Sequence, residues 1–256
     1  MNLGLNNKRF LITGASRGIG KAIAFRFIKE GARLVITARG KETLGTASEE
    51  LAAEFSGGEV IDFSGDSTSP SEMEALKSKI MKVWGGLDGV VANVGDGRSV
   101  SDPIPEADQW EKVWKANFKS ALITSRVFLP MLKESNGCLL YISSITGVEA
   151  IGAPVDYSTA KSALNAFSKN LSRKAAPNVR VNVIAPGNVY FPGGSWDDTM
   201  KTDEKIVKKM IKNTVPLQRF GKPEEIADAA AFLCSEKASF ITGSILRVDG
   251  GQTVSL

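Results

Sequence analysis

The chain has 256 residues, a formal net charge of +4 and no histidine. Its length and ordinary composition fit a globular protein with a sizeable core. The missing histidine excludes histidine-based catalysis and most zinc sites, so we predict no metal site. The basic residues are spread along the chain, and no nucleic-acid surface is predicted.

Sequence features also predict the location of the chain. No stretch approaches the ~20 apolar residues of a membrane span, and no signal peptide is expected before the first strand. Cys138 and Cys234 lie far apart in apolar surroundings, which is typical of reduced core residues in a cytoplasmic protein. We therefore predict a cytoplasmic protein with a small-molecule substrate and no membrane partner.

Residues 9–40 predict a dinucleotide site. An apolar strand, Phe10 to Ile12, leads into a glycine-rich turn and a helical pattern that ends at Gly31, and a second strand follows from Leu34 to Thr37. A strand–turn–helix–strand unit of this size binds dinucleotides, whose phosphates accept hydrogen bonds from the helix N-terminus. A glycine-rich turn without a ligand is the alternative, and the flanking strand and helix favour binding. The cofactor-binding residues predicted in the turn are Gly14, Ser16, Arg17, Gly18, Ile19 and Gly20.

The turn reads TGASRGIG, which differs from the usual dinucleotide fingerprint and resembles the TGxxxGxG motif of the short-chain dehydrogenase/reductase family. Other motifs follow in that family's order over essentially the whole chain, and the chain is similar to its 3-oxoacyl-carrier-protein reductases. The resemblance implies an α/β fold, a doubly wound parallel sheet of about seven strands with helices on both faces. It also implies one domain over residues 1–256, a substrate lid at about 190–215, and a homotetramer.

The residues after the second strand favour NADP over NAD. Enzymes that prefer NAD carry an acid about 20 residues past the glycines, where it binds the ribose 2′-hydroxyl. Here Ala38 is neutral and Arg39 follows it. Together with Arg17, this cation suits a 2′-phosphate, because guanidinium groups bind phosphate with two hydrogen bonds.

Further along the chain, helices are predicted over residues 41–56, 70–84 and 106–132, and strands over 59–63, 87–92, 138–143, 179–184 and 245–248. At the ends of these strands the resemblance assigns cofactor contacts to Asp66 and Ser67 (adenine), Asn93 and Gly95 (ribose or strand), and Pro186, Gly187 and Val189 (nicotinamide carboxamide). The family's threonine two residues beyond Val189 is Phe191 here, which leaves the carboxamide contact to backbone groups.

The catalytic residues implied by the resemblance are Asn117, Ser144, Tyr157 and Lys161. Tyr157 and Lys161 lie four residues apart on one helical face, and Ser144 stands 13 residues before Tyr157, just past a strand end. Free tyrosine has a pKa of ~10, which the Lys161 ammonium and an oxidised nicotinamide would lower. Tyr157 would then exchange a proton with a carbonyl oxygen that Ser144 also binds, Lys161 would hold the nicotinamide ribose, and Asn117 would hold a water.

Several interpretations of the function remain open. The first is an NADPH-dependent carbonyl reductase acting on a ketone such as a 3-oxoacyl thioester, and the second is a sugar or polyol dehydrogenase. Tyr190, Phe191 and Trp196 would form an apolar or sugar-stacking lid, and the lysines after residue 204 form a solvated face or attract an anionic substrate. A third interpretation is a non-catalytic NADP-binding sensor or scaffold, which the complete catalytic set disfavours.

Overall fold

The computed structural model describes residues 2–54 and 59–255, and seven strands in this part of the chain form one parallel sheet. The strands are β1 (Arg9–Thr13), β2 (Arg33–Ala38), β3 (Val60–Ser64), β4 (Gly89–Ala92), β5 (Cys138–Ile142), β6 (Arg180–Pro186) and β7 (Ile245–Val248). Their order is β3-β2-β1-β4-β5-β6-β7, so the winding reverses between β1 and β4. This confirms the predicted doubly wound α/β fold, in which ligands bind beyond the carboxyl ends of the strands near the reversal.

The helices cover both faces of the sheet. They are α1 (Gly18–Lys29), α2 (Lys41–Glu54), α3 (Pro70–Trp84), α4 (Ala107–Trp114), α5 (Ser120–Glu134), α6 (Val155–Ala175), α7 (Ser195–Thr214) and α8 (Pro223–Cys234). One hydrophobic cluster lies beneath α1, α2 and α8, and a second beneath α3, α5 and α6. Burial on both faces explains why β4 and β5 are continuous apolar runs. The last two positions of the helix predicted over 41–56 lie outside the described residues. No described helix is long and apolar enough to span a membrane.

The single helix predicted over residues 106–132 is instead two α-helices joined by a π-helical turn, Lys115–Lys119. The N–H of Ser120 donates to the carbonyl of Lys115, five residues back. Asn117 occupies the middle of this turn, and its side chain donates to the Val113 carbonyl at 3.0 Å. Such turns insert one residue into a helix and are frequent at functional sites.

The predicted lid contains α7, whose helical backbone is broken at Asp203. Val207 and Ile211 of α7, together with Val215 just after it, form a buried stripe with a spacing of four residues. Ile206, the neighbour of Val207 in sequence, is 65% exposed because it lies beside this stripe.

Both cysteines are free and buried, as predicted, and the Cys138 thiol donates to the Cys234 carbonyl at 3.6 Å. They are therefore part of the core.

Candidate active site

A cleft of about 1790 Å³ lies beyond the carboxyl ends of the strands. Parallel strands end at the same edge of the sheet, so the loops that follow them converge there. The predicted site residues that line this cleft are Gly14, Ser16, Arg17, Ile19, Arg39, Asp66, Ser67, Asn93, Gly95, Asn117, Ser144, Tyr157, Lys161, Pro186, Gly187 and Val189. Gly18 and Gly20 do not line the cleft; they shape the turn behind it.

The glycine turn is a tightly packed backbone cradle. Gly14 has a φ of +67°, and a Cβ on Gly20 would stand 2.3 Å from the Gly14 carbonyl oxygen, so only glycine fits at position 20. The amide of Asn93 donates to the carbonyls of Thr13 and Gly14, both at 3.1 Å. No described side chain caps the N-terminus of α1. The cradle therefore fits the phosphates of a dinucleotide, and Asn93 contributes by bracing it.

Phe191 covers the start of α1. Gly18 has a φ of +56°, and a Cβ added there would lie 2.6 Å from the Phe191 ring. The ring also lines the cleft but carries no hydrogen-bonding group. The carboxamide contact by backbone groups stays a prediction.

Arg39 is exposed at the edge of the cleft beside Asp66. Burial raises the pKa of Asp66, but the backbone N–H of Thr68 (2.8 Å) and the charges of Arg39 and Lys115 outweigh burial, and the net pKa is lowered. Asp66 is therefore held as a carboxylate acceptor, which suits the predicted adenine contact.

Arg17, the second predicted phosphate ligand, contacts the lid. Its Nη1 donates to the Gly193 carbonyl at 3.0 Å, across 176 residues of sequence. The glycine turn and the lid are thus joined directly, which the sequence did not predict.

Asn117 is completely buried, and its side-chain amide forms hydrogen bonds with other groups of the protein. Nδ2 donates to the carbonyls of Val113 (3.0 Å) and Asp96 (2.9 Å), while Oδ1 accepts the N–H of Asp96 at 3.1 Å. Both amide hydrogens are used. The side chain therefore holds the loop after β4, and the water contact implied by the resemblance stays a prediction.

Lys161 is buried beside Asn117 and donates from Nζ to the Ile142 carbonyl at 3.1 Å. Burial lowers its pKa to about 8. A Cβ on Gly95 would lie 2.8 Å from Oδ1 of Asn117 and 3.0 Å from Nζ of Lys161, so glycine is required there by close packing. The Lys161 ammonium lies 5.8 Å from the centroid of the Tyr157 ring.

Ser144 lies two residues beyond β5, beside Tyr157. Its Oγ accepts hydrogen bonds from the N–H (3.2 Å) and the hydroxyl (3.1 Å) of Thr146, which leaves its own hydrogen for donation. Burial raises the pKa of Tyr157, the hydrogen bond with Ser144 lowers it, and the Asp96 charge raises it, for a net increase. Burial therefore dominates the pKa of Tyr157 in the protein by itself, and the lowering expected from Lys161 together with an oxidised nicotinamide stays a prediction.

Pro186, Gly187 and Val189 form one wall of the cleft. The N–H of Gly187 donates to the Val248 carbonyl at 3.0 Å, and a Cβ on Gly187 would lie 2.7 Å from Cα of Asp249. The end of β6 is therefore packed closely against the segment that follows β7.

The cleft residues missed from the sequence include Asp96, Arg98 and Gln252. Asp96 stands directly after the motif glycine Gly95, and an acid followed by a cation at that place was the available signal. Gln252 comes from the C-terminal segment, and its Oε1 is buried with no hydrogen-bond partner among the described residues. Asp96, Arg98 and Gln252 therefore add polar groups to the cleft.

In the lid, Trp196 lines the cleft and packs 5.6 Å from Phe220, whereas Tyr190 does not line it. The Tyr190 hydroxyl donates to Asp197 at 2.8 Å. The Lys201 ammonium, then the Gly193 N–H and the Tyr190 hydroxyl, hold the pKa of Asp197 at about 2. Tyr190 therefore stabilises the lid instead of forming its inner surface.

The chain is similar in sequence to known reductases. The family model described as enoyl-(acyl carrier protein) reductase matches residues 14–253. A 3-oxoacyl-[acyl-carrier-protein] reductase from Aquifex aeolicus is 35% identical over 254 residues, which cover 98% of this chain and 100% of that protein.

Solved structures of the same fold extend this similarity. L-sorbose reductase from Gluconobacter frateurii, complexed with NADPH and L-sorbose, has a TM-score of 0.94 at 32% identity, covering 100% of both chains. A 7α-hydroxysteroid dehydrogenase complexed with NADH and 7-oxo glycochenodeoxycholic acid has a TM-score of 0.89 at 30% identity, covering 100% of this chain and 98% of that one. These proteins share the fold and differ in cofactor and substrate.

Proposed function

We infer the reaction from the premise that this chain belongs to the short-chain dehydrogenase/reductase family and is an oxidoreductase that uses a nicotinamide cofactor. We propose that it reduces a ketone with NADPH and acts in reverse as an alcohol dehydrogenase. The observation that carries this proposal is that Ser144, Tyr157 and Lys161 line the same cleft as the glycine turn and Arg39.

The residues around the glycine turn fit NADP. The cradle at Gly14 suits the pyrophosphate, Arg39 and Arg17 supply cations for a 2′-phosphate, and Ala38 places no competing carboxylate beside it. Lys161 would hold the nicotinamide ribose. When bound, the nicotinamide supplies or accepts the hydride.

The protein's own residues supply the proton. The phenol of Tyr157 is protonated at neutral pH, as donation to the oxygen of a ketone under reduction requires, and burial moves its pKa further from neutrality. Ser144, whose Oγ is already an acceptor for Thr146, would donate to the same oxygen and stabilise its developing negative charge. In the reverse direction the phenolate takes up the alcohol proton.

Two substrate classes have support. Similarity to a 3-oxoacyl-[acyl-carrier-protein] reductase favours a 3-oxoacyl thioester. Asp96, Arg98 and Gln252 place hydrogen-bonding groups in the same cleft as Trp196, which favours a keto sugar, and L-sorbose reductase shares the fold.

The test is NADPH oxidation with 3-oxoacyl thioesters, keto sugars and cyclic ketones, with NADH in parallel. We expect turnover with at least one class, faster with NADPH. NADPH binding measured by fluorescence without reduction of any ketone would favour the sensor interpretation instead. Equal turnover with NADH would contradict the assignment of Arg17 and Arg39.

We also propose the homotetramer that the family resemblance implies. Its support in this chain is an apolar surface near the C-terminus, where Phe240 is fully exposed and Ile245 and Leu246 of β7 are 40% and 36% exposed. Light scattering should give the mass of four 27.3 kDa chains, and a monomer mass would contradict the proposal. The cytoplasmic location stays a prediction.

A further inference from the structure

Arg98, in the loop after β4, contacts both sides of the opening between that loop and the lid. Its Nε and Nη2 donate to Oδ2 of Asp198 at 2.9 and 2.7 Å, and Nη2 also donates to the Gly193 carbonyl at 2.9 Å. Its Nη1 donates to Oδ1 of Asp96 at 3.2 Å. We propose that Arg98 is a positioning residue that fastens the lid over the substrate end of the cleft. The substrate part of this inference rests on the proposed function.

Arg98 has no proposed role besides its contact with the lid, whereas Arg17 has a second proposed role in the cofactor site. Both arginines donate to the Gly193 carbonyl, Arg17 at 3.0 Å and Arg98 at 2.9 Å. Arg17 is also the proposed ligand of the cofactor phosphate, so its guanidinium has two partners. Arg98 is held in place by Asp96 and Asp198, and networks of several charges stabilise a geometry better than isolated exposed pairs do.

The acceptor on the lid is itself held firmly. Gly193 has a φ of +76°, and its N–H donates to Oδ2 of the buried Asp197 at 2.9 Å. Asp197 also accepts hydrogen bonds from Tyr190 and Lys201. A lid loop fixed in this way moves as a unit with the start of α7, so losing the Arg98 contact should free that unit and not a single side chain.

On the cleft side, the carboxylate that pairs with Arg98 affects Tyr157, the proposed proton donor. Asp96 pairs with Arg98, and its charge raises the pKa of Tyr157. The other charged groups near Tyr157 are Lys161 and the buried Asp156, which accepts the Tyr157 N–H. Removing Arg98 leaves Asp96 without its cation, which should raise the pKa of Tyr157 further.

The first measurement is tryptic cleavage within the lid, followed by mass spectrometry without cofactor or substrate. We compare Arg98→Met and Asp198→Asn with Arg219→Met, which removes an exposed arginine–carboxylate pair, with Glu225, outside the cleft. Arg98→Met and Asp198→Asn should both be cleaved roughly five- to tenfold faster than the wild type, while Arg219→Met should match it.

The second measurement is steady-state kinetics with the ketone that is turned over fastest. For Arg98→Met and Asp198→Asn the ketone KM should rise roughly fivefold, while the Kd of NADPH stays within about twofold of the wild type. The acid limb of alcohol oxidation, where the Tyr157 phenolate becomes protonated, should move to higher pH in Arg98→Met only, because Asp198→Asn keeps the Asp96–Arg98 pair. Arg98→Lys should recover part of the KM, since one ammonium cannot match all the contacts of a guanidinium.

Lid cleavage and ketone KM in Arg98→Met that equal those of Arg219→Met would overturn the proposal. Weakened NADPH binding with normal lid cleavage would also overturn it, and would assign Arg98 to the cofactor site. Because the cleavage assay uses neither cofactor nor substrate, it tests the contact between Arg98 and the lid even where no ketone is reduced.

Discussion

The side chain of Asn117 and the backbone of Asp96 hold each other through two reciprocal hydrogen bonds. Nδ2 donates to the Asp96 carbonyl at 2.9 Å, and Oδ1 accepts the Asp96 N–H at 3.1 Å. The side-chain amide thus pairs with the backbone N–H and C=O of one residue, as a residue on a neighbouring strand would. This contact joins the π-helical turn to the loop that carries Asp96 and Arg98.

Asn117→Ala should therefore weaken both the fold and the reaction. The change removes three hydrogen bonds and leaves the Asp96 peptide unpaired, so the free energy of unfolding should fall by about 2–3 kcal/mol and kcat should fall with it. Urea unfolding and steady-state kinetics measure the two effects. The control is Asn170→Ala, an exposed helical asparagine with one hydrogen bond to Ala166, which should cost less than about 0.5 kcal/mol. Similar losses of unfolding free energy in the two variants would count against a structural role for the hydrogen bonds between Asn117 and Asp96.

Tyr157→Phe should remove the proton donor and leave the cleft intact. We expect kcat to fall by roughly 10²–10⁴-fold with little change in the Kd of NADPH. The control is Tyr141→Phe, because Tyr141 is a buried tyrosine whose hydroxyl bonds to Ser125 outside the cleft. If the two variants lose kcat equally, Tyr157 has no special role in proton transfer.

Arg39→Leu should reduce the preference for NADPH. Loss of one guanidinium–phosphate contact should raise the Kd of NADPH about tenfold and leave that of NADH nearly unchanged, as titration by fluorescence would show. Arg33→Leu serves as the control, since Arg33 starts β2 at the end away from the cleft and pairs with Glu59. An equal effect on both cofactors would contradict a 2′-phosphate contact.

Lys161 should leave a signature in the pH dependence of stability. Burial lowers its pKa in the folded protein to about 8, whereas in the unfolded chain it is ~10.4. Between these values the unfolded state binds the extra proton, so stability rises with pH. Relative to Lys161→Met, the free energy of unfolding of the wild type should increase by roughly 2 kcal/mol from pH 7 to pH 10.

Urea midpoints measured at several pH values test this expectation. Subtracting the Lys161→Met values cancels the other titrating groups. A difference that is flat with pH would show that Lys161 keeps an ordinary pKa.

Much of the fold could be predicted because its determinants are local in sequence. The apolar runs of β4 and β5 and the glycine turn after β1 each follow from a short segment, and the parallel order follows once strands alternate with helices. The catalytic candidates came from the family resemblance of short motifs, and Asn117, Ser144, Tyr157 and Lys161 all line one cleft.

The sequence by itself determined which elements form, and which residue types stand at the strand ends. Only the tertiary structure decided that Arg98 meets Asp198 across 100 residues, that Arg17 reaches Gly193, and that the helix around Asn117 takes a π turn. It also decided that Tyr157 lies where burial raises its pKa in the protein by itself. The physical reason is that hydrogen bonding between distant segments and desolvation depend on what surrounds a group in space, which no local pattern of residues specifies.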